Sequence, residues 1–302
     1  MVAIGTKGCS REEGWFTDNW SGGLRLSVRV KRVLRDVESA YQHVRVLETE
    51  ELGRMLVLDG NIQCAEADEA AYHELIVHPG LCRAGAGTGR KKNVLIIGGG
   101  DGGAAREALR HEDVGRVDLV DIDPEVTRAA RELLPGIWRS PRGGALHEDT
   151  RLQIRNEDGL RFLEEAAEVP AEGYDLIVVD ATDPVGPGTI LFSDRFYEAL
   201  RCRIGEHGAV SVQAGSWWFL PDVLRTAYRG LGRVFGMARA YHCWSAVYPG
   251  GLWNLVLATL GDDPAEVDRE RAEGLLGCRF YDAESHRAAF VLSPDARRAL
   301  RG

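Results

Sequence analysis

The chain has 302 residues, 44% of them hydrophobic, and a formal net charge of −9. That length and apolar content can bury a full core, and the acidic balance argues against a nucleic-acid partner, whose phosphates demand clustered Lys and Arg. No apolar run approaches the ~20 residues of a membrane span, the N-terminus lacks the apolar stretch of a signal peptide, and Cys9, Cys64, Cys82, Cys202, Cys243 and Cys278 show no metal-ligand spacing, so a cytoplasmic protein with reduced thiols and no membrane partner is expected.

Residues 24–30 alternate apolar and polar side chains, and residues 43–47 and 54–58 continue the pattern around a turn at Asp59-Gly60. Residues 1–70 are therefore expected to form a small antiparallel β domain, with residues 71–302 as a second, larger one. Residues 68–79 have helical spacing, with Tyr72, Leu75 and Ile76 on related faces. Next, the apolar run 94–97 reads as a buried parallel strand. It runs into Gly98-Gly-Gly-Asp-Gly-Gly103, a turn that leads to a helix near Ala104.

Further strands are expected at 116–121, 151–156, 176–180 and 209–213, alternating with helices, which gives an α/β doubly wound sheet. Ligands of such sheets bind outside the carboxyl ends of the strands, where Asp101, Asp121, Asp158 and Asp180 all fall.

Each acid suggests a chemistry. A carboxylate inside a glycine turn repels pyrophosphate, so Asp101 points to a cationic ligand. Asp121 ends the second strand, where an acid commonly takes both ribose hydroxyls. Asp123 reaches the same ligand or caps the helix starting at Pro124, and Asp158, before Gly159, accepts from an adenine amino group or caps a helix. Asp180 and Asp183 precede a Pro/Gly loop and suit gripping an amine beneath a mobile lid, although Asp183-Pro184 is also a turn initiator. An alkylammonium has a pKa near 10 and must lose a proton before its nitrogen attacks, a proton Asp180 is placed to take.

With these residues assembled, the chain resembles the polyamine aminopropyltransferase (spermidine synthase) family. The likeness is carried by Trp15-Phe-Thr, Tyr41-Gln42, Leu56-Val-Leu-Asp-Gly-Asn-Ile-Gln63, Asp68-Glu69, Tyr72-His-Glu74, the glycine loop, Asp158-Gly159, Asp180-Ala-Thr-Asp-Pro-Val-Gly-Pro187, Tyr248-Pro249 and His286-Arg-Ala-Ala-Phe290. The resemblance implies a Rossmann-like, class I methyltransferase-type doubly wound sheet with a small N-terminal antiparallel β domain, assembling as a homodimer or homotetramer. It implies transfer of the aminopropyl group of decarboxylated S-adenosylmethionine, as co-substrate, to an amine, releasing methylthioadenosine without a metal.

By motif position, Gln42, Gly98, Gly100, Asp101, Asp121, Asp158 and Gly159 hold the donor. Asp101 takes its terminal ammonium and disfavours ordinary S-adenosylmethionine, whose carboxylate it would face. Asp180 is the general base, assisted by Tyr72. His73, Asp183, Gln213, Tyr248 and Trp20 hold the acceptor. Read from the residues alone, Tyr72 is a core residue, His73 a surface residue and Tyr248-Pro249 a packed turn.

Two departures affect the acceptor. Gly215 stands where spermidine synthases usually carry a glutamate for putrescine's far ammonium, a pattern closer to members accepting agmatine, spermidine or other triamines. Asp18 replaces a common glutamate, and Trp20 follows after a shortened approach. The adjacent Trp217 and Trp218 stack on a longer amine or form a packed cluster. The alternatives are an S-adenosylmethionine-dependent N-methyltransferase or carboxyaminopropyltransferase on the same fold, and a non-catalytic polyamine-binding protein.

Overall fold

The computed structural model describes residues 14–21, 23–87, 89–182 and 190–301. Five antiparallel strands in sequential order make the first sheet: β1 (Trp15–Ser21), β2 (Leu24–Glu38), β3 (His43–Thr49), β4 (Arg54–Leu58) and β5 (Asn61–Ala65). Asp59 and Gly60 both have positive φ, which lets a two-residue turn join β4 to β5. The alternation seen at residues 24–30 persists to Glu38. β2 is thus a long strand paired on both sides.

Seven strands form the second sheet: β6 (Lys92–Gly98), β7 (Val114–Val120), β8 (Leu152–Arg155), β9 (Tyr174–Asp180), β10 (Ile204–Gln213), β11 (Met237–Trp244) and β12 (Leu252–Thr259). Their order is β11-β12-β10-β9-β6-β7-β8, a Rossmann-like arrangement. β8, β7, β6, β9 and β10 run parallel, while β12 pairs antiparallel with both β10 and β11. The order reverses between β6 and β9, and Gly98 lies beside Asp180 there. That is the switch point at which such sheets open a ligand crevice.

Four helices position the site: α1 (Glu69–Cys82), α2 (Gly103–Arg110), α3 (Pro124–Leu133) and α4 (Gly159–Glu165). α1 is buried on every side except Ala71, although it carries Glu69, His73, Glu74 and His78. A helix buried all round must satisfy such groups internally. Glu74 does so by accepting the backbone N–H groups of Arg279, Phe280 and Tyr281, which ties the C-terminal segment to the helix. His78 contacts Glu107 and His111 across the α1–α2 interface. The remaining helices are α5 (Asp194–Arg203), α6 (Pro221–Phe235), α7 (Arg269–Glu273), α8 (Ala283–Ala289) and α9 (Pro294–Arg301). No helix among the described residues is long and apolar enough to cross a membrane.

Candidate active site

The loop between β6 and α2 is glycine-rich because its neighbours leave no room for a Cβ. At Gly98 a Cβ would lie 2.1 Å from the Asp180 carbonyl oxygen, at Gly100 2.6 Å from an Asp121 oxygen, and at Gly103 2.2 Å from the His73 ring. The loop thereby packs directly against the side chains of Asp121 and His73 and the backbone of Asp180.

Asp101 projects from its centre. Its Oδ1 accepts from the Gly103 N–H at 2.7 Å and faces His73 Nε2 at 3.2 Å, while His73 Nδ1 lies 2.7 Å from Glu69 Oε2. Burial pushes Asp101 up, but the His73 cation, its hydrogen bond, the Gly103 amide and Arg106 outweigh it and hold the carboxyl below its ordinary range. For His73, burial disfavours charge, yet Asp101 and Glu69 raise its pKa well above 6.5. The imidazole is a cation between two carboxylates.

Asp121, at the end of β7, accepts from Gly100 N–H with Oδ2 and from Asp123 N–H with Oδ1. Burial raises it to about 6 against those two amides. Asp123 caps α3 by accepting from Glu125 N–H, and its second oxygen takes Ser39 Oγ at 2.7 Å and Gln42 Nε2 at 3.0 Å. Gln42 therefore reaches the carboxyl end of β7 through Asp123, which ties the β2–β3 connection of the first sheet to the second. Asp158 is exposed and caps α4, accepting from Arg161 N–H, the simpler of its two expected roles. Gly159 follows it because a Cβ there would lie 2.4 Å from Ile97.

Asp180 ends β9. Its Oδ1 accepts from the Tyr72 hydroxyl at 2.6 Å, and its Oδ2 is buried without a hydrogen-bond partner among the described residues. Burial first, then the Asp101 charge, push the carboxyl up to about 6 against the pull of His73 and Tyr72. Burial and the Asp180 charge hold the Tyr72 phenol well above 10, so it stays protonated and donates. A carboxylate raised to about 6 beside a fixed phenol donor has the chemistry to accept a proton near neutrality.

From Tyr72 an aromatic wall leads away through Tyr248, Trp253 and Trp20, with ring centroids 5.9, 4.8 and 5.6 Å apart in turn. Tyr248 donates to the Gln63 carbonyl, so its ring is held by β5 and is more than a packed turn. Gln213 donates to the Ala181 carbonyl and accepts from Trp253 Nε1. Beyond Trp20 lies Asp18, fully buried, with Oδ2 on Ile62 N–H. Its Oδ1 and the Trp20 indole nitrogen are buried without an ordinary hydrogen bond among the described residues. Burial raises Asp18 to about 6 against the Ile62 amide and the Trp20 indole.

Three positions are clarified by their surroundings. His73 does not line an acceptor wall: it is 1% exposed and lies between Glu69 and Asp101, because the i, i+4 spacing on α1 and the approach of Gly103 enclose it. Gly215 has a conformational reason to be glycine. Its φ is +72°, and a Cβ would lie 3.2 Å from Leu220, so the position turns the chain and aims at the apolar start of α6. Trp217 and Trp218 contact one another edge to face, and Trp218 is exposed. Asp183 lies outside the described residues. Glu69, Arg106, Trp253 and Ser39 were not foreseen as site residues. Only the Glu69–His73 spacing left a signal in the sequence.

The chain matches two family models: the spermidine synthase tetramerisation domain over residues 14–66 and the spermine/spermidine synthase domain over residues 69–269. It is 35% identical to a polyamine aminopropyltransferase of Bacillus mycoides over 93% of this chain and 96% of that one. With a polyamine aminopropyltransferase of Caldicellulosiruptor bescii the identity is 36%, over 93% and 95%. Among solved structures, a spermidine synthase in complex with the transition-state analogue AdoDATO superposes with a TM-score of 0.86 at 29% identity, covering 97% of each chain. Spermidine synthase from Thermotoga maritima gives 0.85 at 29%, covering 98% of this chain and 97% of that one.

Proposed function

The chain belongs to the spermine/spermidine synthase family, and from that premise we propose that it is a polyamine aminopropyltransferase. It moves the aminopropyl group of decarboxylated S-adenosylmethionine to an acceptor amine and releases methylthioadenosine. The observation that carries this reading is the unpartnered, buried Oδ2 of Asp180 beside the Tyr72 phenol, since such an oxygen calls for a cationic hydrogen-bond donor.

In the proposed reaction the acceptor ammonium gives its proton to Asp180, and the freed nitrogen lone pair forms a bond to the methylene beside the donor sulfonium. The carbon–sulfur bond breaks in line, and its electron pair stays on sulfur as a neutral thioether. Tyr72 holds Oδ1 of Asp180 and leaves Oδ2 to the proton. Asp101 binds the donor's terminal ammonium, Asp121 its ribose, and Gln42, Gly98, Gly100, Asp158 and Gly159 complete the nucleoside site. A fixed carboxylate at Asp101 disfavours intact S-adenosylmethionine.

Gln213, Tyr248, Trp20 and, through the 183–189 segment, Asp183 hold the acceptor. Asp18 rather than position 215 receives its far ammonium, at the end of the aromatic wall. An acceptor with two or more cationic nitrogens follows, namely putrescine or a longer amine such as agmatine or a triamine. We further propose a cytoplasmic homodimer or homotetramer assembled through the β1–β5 sheet, acting without metal, nucleic acid or membrane.

The test is product analysis by mass spectrometry. Purified protein receives decarboxylated or ordinary S-adenosylmethionine with putrescine, agmatine, cadaverine, spermidine and norspermidine in competition. Methylthioadenosine together with one aminopropylated amine is expected from the decarboxylated donor. S-adenosylhomocysteine alone would establish a methyltransferase, and amine binding without turnover a polyamine-binding protein.

A further inference from the structure

The His73 ring is flanked by carboxylates on both nitrogens, Glu69 Oε2 at 2.7 Å and Asp101 Oδ1 at 3.2 Å. Ionised carboxylates only accept, so both nitrogens must carry protons for both contacts to hold. Behind this pair stands Arg106, whose Nη2 lies 2.6 Å from the same Glu69 oxygen and whose Nε reaches Glu107 Oε1 at 2.6 Å. Glu107 in turn takes Arg110 and His78. The charges thus alternate from Asp101 through His73, Glu69, Arg106 and Glu107 to Arg110, across the α1–α2 interface.

Both contacts on Asp101 fall on one atom. Oδ1 accepts from Gly103 N–H and pairs with His73 Nε2 at 3.2 Å, which orients the carboxylate and leaves Oδ2 for a ligand. A cation 3.2 Å from Asp101 Oδ1 would by itself weaken a site on the same carboxylate meant for an ammonium ion, since like charges repel. Glu69 offsets that cation from the far side of the ring.

We propose that Glu69, gripped by Arg106, is a positioning residue for donor binding: acting through His73, it fixes Asp101 and balances the His73 charge, so that Asp101 Oδ2 meets the donor's terminal ammonium undiminished. The inference rests on the aminopropyltransferase reading. The charged and titratable groups around His73 are Glu69 on its own helix, Asp101 in the glycine loop, Asp180 at the end of β9 and, on Glu69, Arg106 of α2 and Arg279 of the C-terminal segment. Tyr72 packs its ring edge to face on His73. Without Glu69, either His73 gives up its Nδ1 proton and holds Asp101 only through a neutral Nε2–H, without charge assistance, or His73 keeps its charge and repels the ammonium. Donor affinity falls in both cases.

The test compares two nucleosides that differ in the ammonium arm. Isothermal titration of wild type and Glu69→Gln with decarboxylated S-adenosylmethionine and with methylthioadenosine, which lacks that arm, is expected to show about tenfold or greater weakening for the first and less than about twofold for the second. Arg106→Lys keeps the charge but loses the forked contact, and is expected to shift the first in the same direction by less. A wild-type protein that binds neither nucleoside would refute the aminopropyltransferase reading itself. A wild type that binds both, with Glu69→Gln weakening both equally or neither, would overturn only this inference. Should the variants fail to fold, the ¹⁵N spectrum of histidine-labelled wild type decides the matter. His73 is expected doubly protonated at pH 7.5, and a neutral tautomer there would overturn the proposal.

Discussion

The proposed donor and acceptor halves of the crevice differ in how their buried polar atoms are satisfied. On the donor side, Asp101 Oδ1, both oxygens of Asp121 and both oxygens of Asp123 accept hydrogen bonds from the protein, and the His73 cation balances the acids. On the acceptor side, Asp180 Oδ2, Asp18 Oδ1 and Trp20 Nε1 are buried without ordinary partners among the described residues. The first half is preorganised by its own network; the second keeps a buried carboxylate oxygen, Asp180 Oδ2, open to a cation. Preorganisation of that kind lowers the cost of binding a nucleoside, whereas buried, unpaired carboxylates tax the fold and reward an ammonium ligand.

The largest expected break is Asp180→Asn, which removes the base. Turnover should fall by about 10²-fold or more with donor affinity retained, read from initial rates and titration. The same variant should be more stable than wild type at pH 7.5. Because the folded-state pKa of Asp180 is raised to about 6, its contribution favours folding below 3.8 and is lost as pH rises through 6. Asparagine escapes that cost, worth up to about 3 kcal/mol, and the gain in Tm should vanish near pH 3.5.

Asp101→Asn should come next, raising the donor KM by roughly 10- to 100-fold while the acceptor KM stays within about threefold. Asp18→Asn should raise the acceptor KM by about tenfold with kcat little changed, and the penalty should grow with the number of cationic nitrogens on the amine. In the wild type, log kcat/KM should rise through pH 6 as Asp180, Asp121 and Asp18 ionise, and the limb near 6 should become shallower when any one of the three is replaced by asparagine. Smallest of all, Trp218→Ala should change each kinetic constant by less than about threefold, since the ring is two-thirds exposed at 67% and packs edge to face on Trp217.

The sequence showed more of the donor half than of the acceptor half. Apolar runs that lead to Asp101 and Asp121 are local signals: Asp121 directly follows β7 and Asp101 sits in the glycine loop just beyond β6, while on the acceptor side only Asp180, the last residue of β9, is marked in the same way. Strands β1, β5, β11 and β12 were not foreseen. β12 carries Trp253, which reaches Gln213 from 40 residues away, a contact no local pattern encodes. Glycine 215 invited a reading in terms of a missing carboxylate, whereas its positive φ and the nearness of Leu220 explain the residue through backbone conformation. His73 was similarly misplaced, because its burial depends on Gly103 approaching from another helix. Asp158 carried its cap signal in plain view, one residue before a helix.

The contrast between the two halves is tested most directly by crossing two variants against two constants. Donor Kd and turnover at saturating donor are measured for Asp101→Asn and Asp180→Asn in the same buffer at pH 7.5. Asp101→Asn is expected to weaken donor binding with turnover largely kept, and Asp180→Asn to collapse turnover with donor binding kept. The reverse pattern, or equal losses in both constants for both variants, would contradict the division of the crevice into a preorganised donor half and an amine-seeking acceptor half.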